Sequence, residues 1–478
     1  MNKELKRVSA VVVLMFAALF ASSTVISVFQ SDNLRVDSRN TRTIMASYSA
    51  ERGPILVDGV AVAESTPVDD QYKFLRSYSQ PEVYSAVTGY FTLNQGNSGV
   101  EGAMNDYLSG TANDQFLDQL NSLITGQNPK GASVELTIDP VAQQAAWDAL
   151  GGNTGAVVAI NPQTGAILAM VSKTAYDPNQ LAVHDTAAVI DTYNAMIADP
   201  NRPLLNRAIA GDLYAPGSVF KLVTAAAAID SGQFTPESEF PNPPTLQLPG
   251  STNTISNAAD GNCGGAPNVD LATAMRLSCN IPFAQLGAAL GEETLSSYAE
   301  AFGFGEGLAV PQRVTASQFP ATESEAELML ASFGQASVRV TPLQVAMVSA
   351  AIANGGTLMK PTLIESVTAP DLDVIEPFQE SVLNQPITEQ SAATLSQLMV
   401  SNVNSGAASN ARINGVEVAG KTGTAENDGA ENTLWFTGFA PASDPEIAVA
   451  VVVENGQGFG NSVAAPIARN VIEAVLNK

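Results

Sequence analysis

At 478 residues the chain exceeds the size at which one core usually keeps growing, so two domains with appendages are expected. Hydrophobic residues make up 45%, enough for ordinary globular cores. Twenty-two Lys and Arg against 47 Asp and Glu leave a net charge of −25, which opposes attraction to polyanions and excludes nucleic acid as a partner class.

In chain order, Val8 to Phe29 is a run of 22 uncharged, mostly apolar residues, about 33 Å as a helix and enough for the roughly 30 Å hydrocarbon layer. Lys3, Lys6 and Arg7 precede it against Glu4 alone, so residues 1–30 read as a cytoplasmic tip and single transmembrane anchor, with the remainder outside. A cleaved signal peptide is the alternative, with Ala21-Ser22-Ser23 as its processing site. Residues 31–145 read as a smaller non-catalytic module of short strands and turns, in which Asp70, Glu82, Asp114 and Asp118 look like solvated surface. Residues 146–478 read as the main domain. It opens on a hairpin, two apolar runs between Gly155 and Val171 about Asn161-Pro-Gln-Thr-Gly165. His184, the one histidine, falls in a polar loop. Val219 to Ile229 is an alanine-rich helical run, Leu271 to Leu277 and Ile281 to Leu286 are helical, and Glu325 to Ala353 reads as helices. Thr388 to Val403 is amphipathic with Thr388 as N-cap. Val416 to Ala419, Leu434 to Phe439 and Ile447 to Glu454 read as strands, and Pro466 to Leu476 as a closing helix. Sheet at both ends with helices between implies an α+β fold with one main sheet closed by chain-distant strands.

The chemistry sits in three short elements. Ala215-Pro-Gly-Ser218-Val-Phe-Lys221 runs straight into a helix, and positions i and i+3 share a face, so the Lys221 amine can reach the Ser218 hydroxyl. Pro216-Gly217 places Ser218 at the helix start, where free N–H groups favour a developing oxyanion. A serine nucleophile needs a base, and lysine serves only when neutral. Its reference pKa near 10.4 must then fall by about 3 units, which burial beside a second cation would supply. That predicts another lysine nearby, and Gly420-Lys421-Thr422-Gly423-Thr424 provides it. The small residues after Lys421 let a substrate backbone pair with a strand edge, while the Lys421 cation and the Thr422 and Thr424 hydroxyls face a carboxylate. Only nine lysines occur, one in the sole Ser-x-x-Lys and another in the sole Lys-Thr-Gly. Ser278-Cys279-Asn280 lies between helical stretches, with a hydroxyl to relay a proton and an amide to hold a peptide group. Ser31-Asp-Asn33, Ser38-Arg-Asn40 and Ser251-Thr-Asn253 share that spacing but lie beside the anchor or in a polar turn.

These three motifs in this order resemble those of penicillin-binding proteins and serine β-lactamases. The chain is most similar to the class B, monofunctional penicillin-binding proteins, on the actinobacterial penicillin-binding protein A branch, from about Arg39 to the C-terminus. Supporting stretches are Arg52-Gly-Pro-Ile55, Gly99-Val-Glu101, Leu136-Thr-Ile-Asp139 with Gln143, Thr341-Pro-Leu-Gln344 and Trp435-Phe-Thr-Gly-Phe-Ala-Pro441; a further Arg usual downstream of Arg52 in class B members is missing from its motif. Glu101 and Asp139 read as structural. The resemblance implies an antiparallel sheet flanked by helices with an all-helical part. It further implies a serine D,D-transpeptidase in which Ser218 is acylated by a D-Ala-D-Ala stem peptide, Lys221 is the base and Ser278 the proton relay. Asn280 would bind the acyl peptide, Lys421 and Thr422 its carboxylate, and the Ser218 and Thr424 N–H groups the oxyanion. Peptidoglycan stem peptides, β-lactams, the cytoplasmic membrane and divisome or elongasome proteins are the implied partners, with septal wall synthesis as the family-level role and no cofactor required.

Three other functions compete. A D,D-carboxypeptidase shares every motif, a β-lactam sensor or divisome scaffold would keep the fold, and Glu380-Ser-Val-Leu-Asn384 matches a β-lactamase deacylation pattern but reads as the lead-in to the Thr388 helix. The two cysteines, Cys263 and Cys279, are expected to form a disulfide beside Ser278 in an exported chain, with two free thiols as the alternative.

Overall fold

The computed structural model describes residues 2–26, 50–112, 115, 130–258, 261–427 and 430–477. Asp114, Asp118, the stretches at Ser31 and Ser38, and the end of the apolar run at Ser27 to Phe29 lie outside them. Helix α1, Asn2–Thr24, is long and apolar enough to cross a bilayer and, among the described residues, is exposed along its length. It starts earlier than the uncharged run because the basic lead is helical too, with Arg7 paired to Glu4 one turn back.

The first module is built on β1 (Ile55–Val57), β2 (Val60–Pro67), β3 (Phe74–Tyr78) and β4 (Ser133–Leu136). Val57-Asp58-Gly59-Val60 turns β1 back on β2, with Asp58 and Gly59 both at positive φ, while β4 runs parallel to β1. Gly53 is required here, since a Cβ on it would lie 1.9 Å from the Ala132 carbonyl oxygen. At the centre Glu101, fully buried, accepts from Arg52 Nε and Arg76 Nε, both at 2.6 Å, and from the Tyr78 hydroxyl at 3.2 Å. The second guanidinium is thus supplied by Arg76 on β3, downstream of the Arg52 motif.

Burial alone would raise the Glu101 pKa, but the Arg76 and Arg52 guanidiniums carry it below the ordinary carboxylate value. A depressed carboxylate contributes stability that is present above its unfolded pKa and lost as pH falls through the lower folded one. Glu101→Gln is expected to cost about 3–5 kcal/mol, because two buried guanidiniums lose their counter-charge. Urea unfolding at pH 7 measures it, and the wild-type advantage should shrink below about pH 4.

After β4 comes α2 (Pro140–Leu150), N-capped by Asp139, whose carboxylate accepts from the Val141 and Ala142 N–H groups. The expected hairpin follows as β5 (Gly155–Ile160) and β6 (Ile167–Lys173). A 3₁₀ turn, Gly217–Val219, leads into α3 (Lys221–Asp230), followed by α4 (Leu271–Leu277), α5 (Ile281–Leu290) and α6 (Pro342–Ala353). The strands β7 (Ile364–Thr368) and β8 (Val374–Pro377) then return to β4, so the six-stranded sheet of the first module, in the order β8-β7-β4-β1-β2-β3, is completed by a hairpin from far downstream. The chain ends with α7 (Glu389–Ser405, N-cap Thr388), β9 (Ala419–Asn427), β10 (Ala430–Ala440), β11 (Ile447–Gly456) and α8 (Ala464–Leu476).

The main sheet is antiparallel in the order β9-β10-β11-β5-β6, so chain-distant strands close it. Both faces are covered. Val157 and Ala159 of β5 face Ala146 of α2 and Ile467 and Val471 of α8, whereas Ala156 and Val158 face the larger core that includes α3 and α6. This explains the unbroken apolar runs, because a strand buried on both sides shows no alternation.

Two elements differ from expectation. Glu325 to Ala353 is split into Glu325–Ala331 and α6, because Thr341 is extended before Pro342 and caps the Gln344 N–H. The strand expected at Val416 to Ala419 starts at Ala419 and carries through Lys421-Thr-Gly. Its glycines resemble turn residues locally, but Gly420 pairs with Gly438 and Gly423 with Trp435.

Candidate active site

Ser218 sits mid-turn in Gly217–Val219, partly exposed, and Lys221 opens α3 fully buried. The turn is pinned from three sides. The Gly217 N–H donates to Gly334 O at 2.9 Å, and Trp435 Nε1 of β10 donates to Ala215 O at 3.0 Å. Gly217 also lies against Thr424 of β9, where a Cβ would come within 2.9 Å of the Thr424 oxygen. The glycine at φ +54 therefore lets the nucleophile turn press onto the strand.

Ser278 ends α4 in the left-handed conformation, φ 61 and ψ 39, which turns the chain so that Asn280 can start α5. Asn280 is held by its backbone N–H to Asn257 Oδ1 at 2.9 Å and by Nδ2 to Ser256 O at 3.0 Å. Both lysines converge here. Lys221 Nζ donates to Ser278 O and Asn280 Oδ1, each at 2.8 Å, and reaches Ser278 Oγ at 3.5 Å. Lys421 Nζ donates to Ser278 Oγ at 2.6 Å and to Thr422 O at 2.8 Å. The bonds of Lys221 run to the Ser278 element rather than to Ser218, whose hydroxyl has no hydrogen-bond partner among the described residues. A buried amine takes the strongest fixed acceptors, here a carbonyl and an amide oxygen.

Burial, and secondarily the neighbouring Lys421, pushes the Lys221 amine well below its usual value, while burial brings Lys421 down to about 7. Phe283 and Phe333, with centroids 5.4 and 5.9 Å from Lys221 Nζ, form the apolar wall that excludes water. This is the arrangement in which one lysine is available as a neutral base.

An open cleft of about 1320 Å³ is lined by Ser218, Ser278, Asn280, Thr422, Gly423 and Thr424 among others. The hydroxyls of Thr422 and Thr424 are already engaged, the first donating to Ala407 O at 3.1 Å and the second accepting from the Gly460 N–H at 3.2 Å. Ser251 to Asn253 forms a turn between short strands, His184 lies in a loop against Asp70, and Glu380 is exposed beside the strand Val382–Asn384, outside the cleft lining.

Sequence reasoning missed Phe333, Asn257 and Tyr214. The Tyr214 hydroxyl donates to Glu454 Oε1 at 2.5 Å, which also receives Arg207 Nε at 3.0 Å. Only the closeness of Tyr214 to Ser218 in the chain hinted at a place in the cleft.

Cys263 and Cys279 form a disulfide with a Cα–Cα separation of 5.8 Å, tying the segment Cys263–Gly265 to the start of the Asn280 turn. A closed loop of this length is worth about 3 kcal/mol in the chain-entropy model. Thiol titration of unreduced, denatured protein is expected to find no reactive thiol, and two per chain would refute the bond. Reduction should slow acylation without unfolding the domain.

Residues 155–473 match the family described as penicillin binding protein transpeptidase domain, and residues 52–134 match the penicillin binding protein A dimerisation domain. The peptidoglycan D,D-transpeptidase PbpA of Mycolicibacterium smegmatis is 41% identical over the whole of both chains, and that of Mycobacterium tuberculosis is 40% identical over 100% of this chain and 99% of its own. The structure of penicillin-binding protein A from M. tuberculosis in a ceftriaxone acyl-enzyme complex superposes with a TM-score of 0.87 at 40% identity, covering 90% of this chain and 100% of that one. With the motif geometry and these matches together, the chain belongs to the class B penicillin-binding protein transpeptidases and is similar throughout to mycobacterial penicillin-binding protein A.

Proposed function

We propose that the chain is a serine D,D-transpeptidase that cross-links peptidoglycan stem peptides through an acyl-enzyme on Ser218. The observation that carries this reading is the convergence of two buried lysines on the Ser278 hydroxyl beside the half-buried Ser218. Neutral Lys221 takes the Ser218 proton as Oγ attacks the carbonyl between the two D-Ala residues. The N–H groups of Ser218 and Thr424 hold the oxyanion, a contribution usually among the largest in acyl transfer. Ser278 passes a proton to the departing D-Ala amine while Asn280 holds the acyl peptide. Lys421 and Thr422 receive the terminal carboxylate before an acceptor amine resolves the ester. β-Lactams are trapped by the same first step.

The division into anchor at 1–30, first module at 31–145 and transpeptidase domain at 146–478 belongs to this proposal. So do insertion of α1 in the cytoplasmic membrane with its N-terminus inside, association with divisome or elongasome proteins, and a role in septal wall synthesis. Labelled penicillin is expected to form a long-lived adduct mapped by mass spectrometry to Ser218. Labelling of another serine would overturn the assignment, and hydrolysis within seconds would favour a β-lactamase. A tetrapeptide product without cross-linked dimer would favour the carboxypeptidase.

A further inference from the structure

The Ser278 hydroxyl is shared by both lysines, and the backbone that presents it does not hold itself in place. At φ 61 Ser278 lies in the left-handed region, which costs a non-glycine residue free energy and persists only where the surroundings fix it. Its own N–H returns to Met275 O at 3.2 Å, a long closing bond. Further support comes from α7, which packs against α4.

Asn402, fully buried one turn before the end of α7, meets the end of α4. Its Nδ2 donates to Arg276 O at 2.7 Å and to Met275 O at 3.1 Å, two of the carbonyls that a helix C-terminus leaves without an intrahelical partner. The chain after α7 closes over the same place: the Ala407 N–H donates to Arg276 O at 3.0 Å, and a Cβ on Gly406 would lie 2.0 Å from that oxygen. Ala407 O in turn accepts from Thr422 Oγ1 at 3.1 Å, so a single joint ties the Ser278 turn to β9.

The amide oxygen of Asn402 is buried and meets no donor among the described residues. Turning the amide over would set that oxygen against two carbonyls, so its orientation is fixed. Both carbonyls keep a backbone partner without Asn402, Arg276 O from Ala407 and Met275 O from Ser278. An unpaired buried oxygen is unfavourable, and leucine fills a similar volume without one. Stability alone therefore favours an apolar residue here, and what asparagine adds is direction.

We infer that Asn402 is a positioning residue for the acyl transfer, which holds the end of α4 so that the Ser278 hydroxyl stands between the two lysines. This rests on the transpeptidase reading of the cleft. In that step the Ser218 Oγ–C bond forms, the C–N bond to the terminal D-Ala breaks, and the Ser218 proton passes to Lys221. Ser278 gives its hydroxyl proton to the departing nitrogen and recovers one from Lys221, so D-Ala leaves as a neutral amine. A displaced Ser278 slows the departure of an amine, whereas a thiolate departs without a proton.

The test uses two donors, alike except that sulfur replaces the scissile nitrogen of D-Ala-D-Ala in the second. Release is followed as kcat/KM for the full chain, Asn402→Leu, the smaller Asn402→Ala, Asn402→Gln, Ser278→Ala, and the double variant of Ser278→Ala with Asn402→Leu. A thermal melt of each shows that the fold is kept. Asn402→Leu and Asn402→Ala are expected to lose roughly 10- to 100-fold on the amide donor, as for a misplacement of about 1 Å, and less than about 3-fold on the thiolester. Asn402→Gln, which retains a donor, should recover part of the loss. In the Ser278→Ala background, Asn402→Leu should add nothing. An unchanged amide rate, an equal fall on both donors, or an additive loss in the double variant would overturn the inference. Absence of Ser218 labelling by penicillin in the wild type is a different failure, which would remove the transpeptidase reading and this one with it.

Discussion

Lys221→Ala is expected to lower the rate of penicillin acylation at Ser218 about 10²–10⁴-fold at neutral pH, the range for loss of a positioned general base. Lys221 Nζ is fully buried, bonded to Ser278 and Asn280, and flanked by the Phe283 and Phe333 rings. Burial first and Lys421 second hold it well below its usual value, so the free base is present without alkaline conditions. Lys221→Arg separates basicity from packing. It keeps a long cationic side chain but cannot deprotonate, so it should be as slow as the alanine variant. Stopped-flow acylation with a reporter β-lactam measures both, and a thermal melt of each shows that the fold is kept. Near-normal acylation of either variant at pH 7 would contradict the role of Lys221.

Lys421→Met is expected to raise thermal stability while disabling the enzyme, and the gain should depend on pH. In the folded chain burial lowers the Lys421 pKa to about 7, against 10.5 for an ordinary lysine. Between those values the unfolded chain binds more protons than the folded one, so stability rises with pH across that window. Below about 7 the group is charged in both states and the fold bears the whole cost of a buried ammonium. Methionine removes that cost with similar volume. A gain of roughly 0.5–2 kcal/mol at pH 6, or about 2–6 °C in Tm, should therefore fade toward pH 10. Acylation should fall about 10- to 100-fold from loss of a charged hydrogen bond to the substrate carboxylate. Its pH profile should also move to the alkaline side, because Lys421 is one of the two causes that depress Lys221. Calorimetry across pH 6–10 decides it, and a variant less stable than wild type at pH 6 would refute the buried-charge account.

The first module shows where sequence patterning runs out. Its strands are as short as Ile55–Val57, too short for a periodicity to register, and its sheet is completed by β7 and β8 from beyond α6. Nothing local in Ile364–Thr368 names β4 as its neighbour. The Glu101 site is similar, for Arg52, Arg76 and Glu101 are scattered along the chain and meet only because β1 and β3 flank β2 in one sheet.

By itself the sequence determined the family, the main hairpin, the long helices and the residues of the three motifs. Motif spacing such as Ser218 to Lys221 is local geometry, and a strand buried on both faces or a capped helix such as Thr388 onward leaves its signature in neighbouring residues. It also required a second lysine, since one amine in water cannot be neutral at pH 7. Only the tertiary structure decided that Lys421 and Lys221 share the Ser278 hydroxyl and that Phe283 and Phe333 dry the site. Those facts depend on distances between residues far apart in the chain, and desolvation and Coulomb interactions follow distance in space rather than position in sequence.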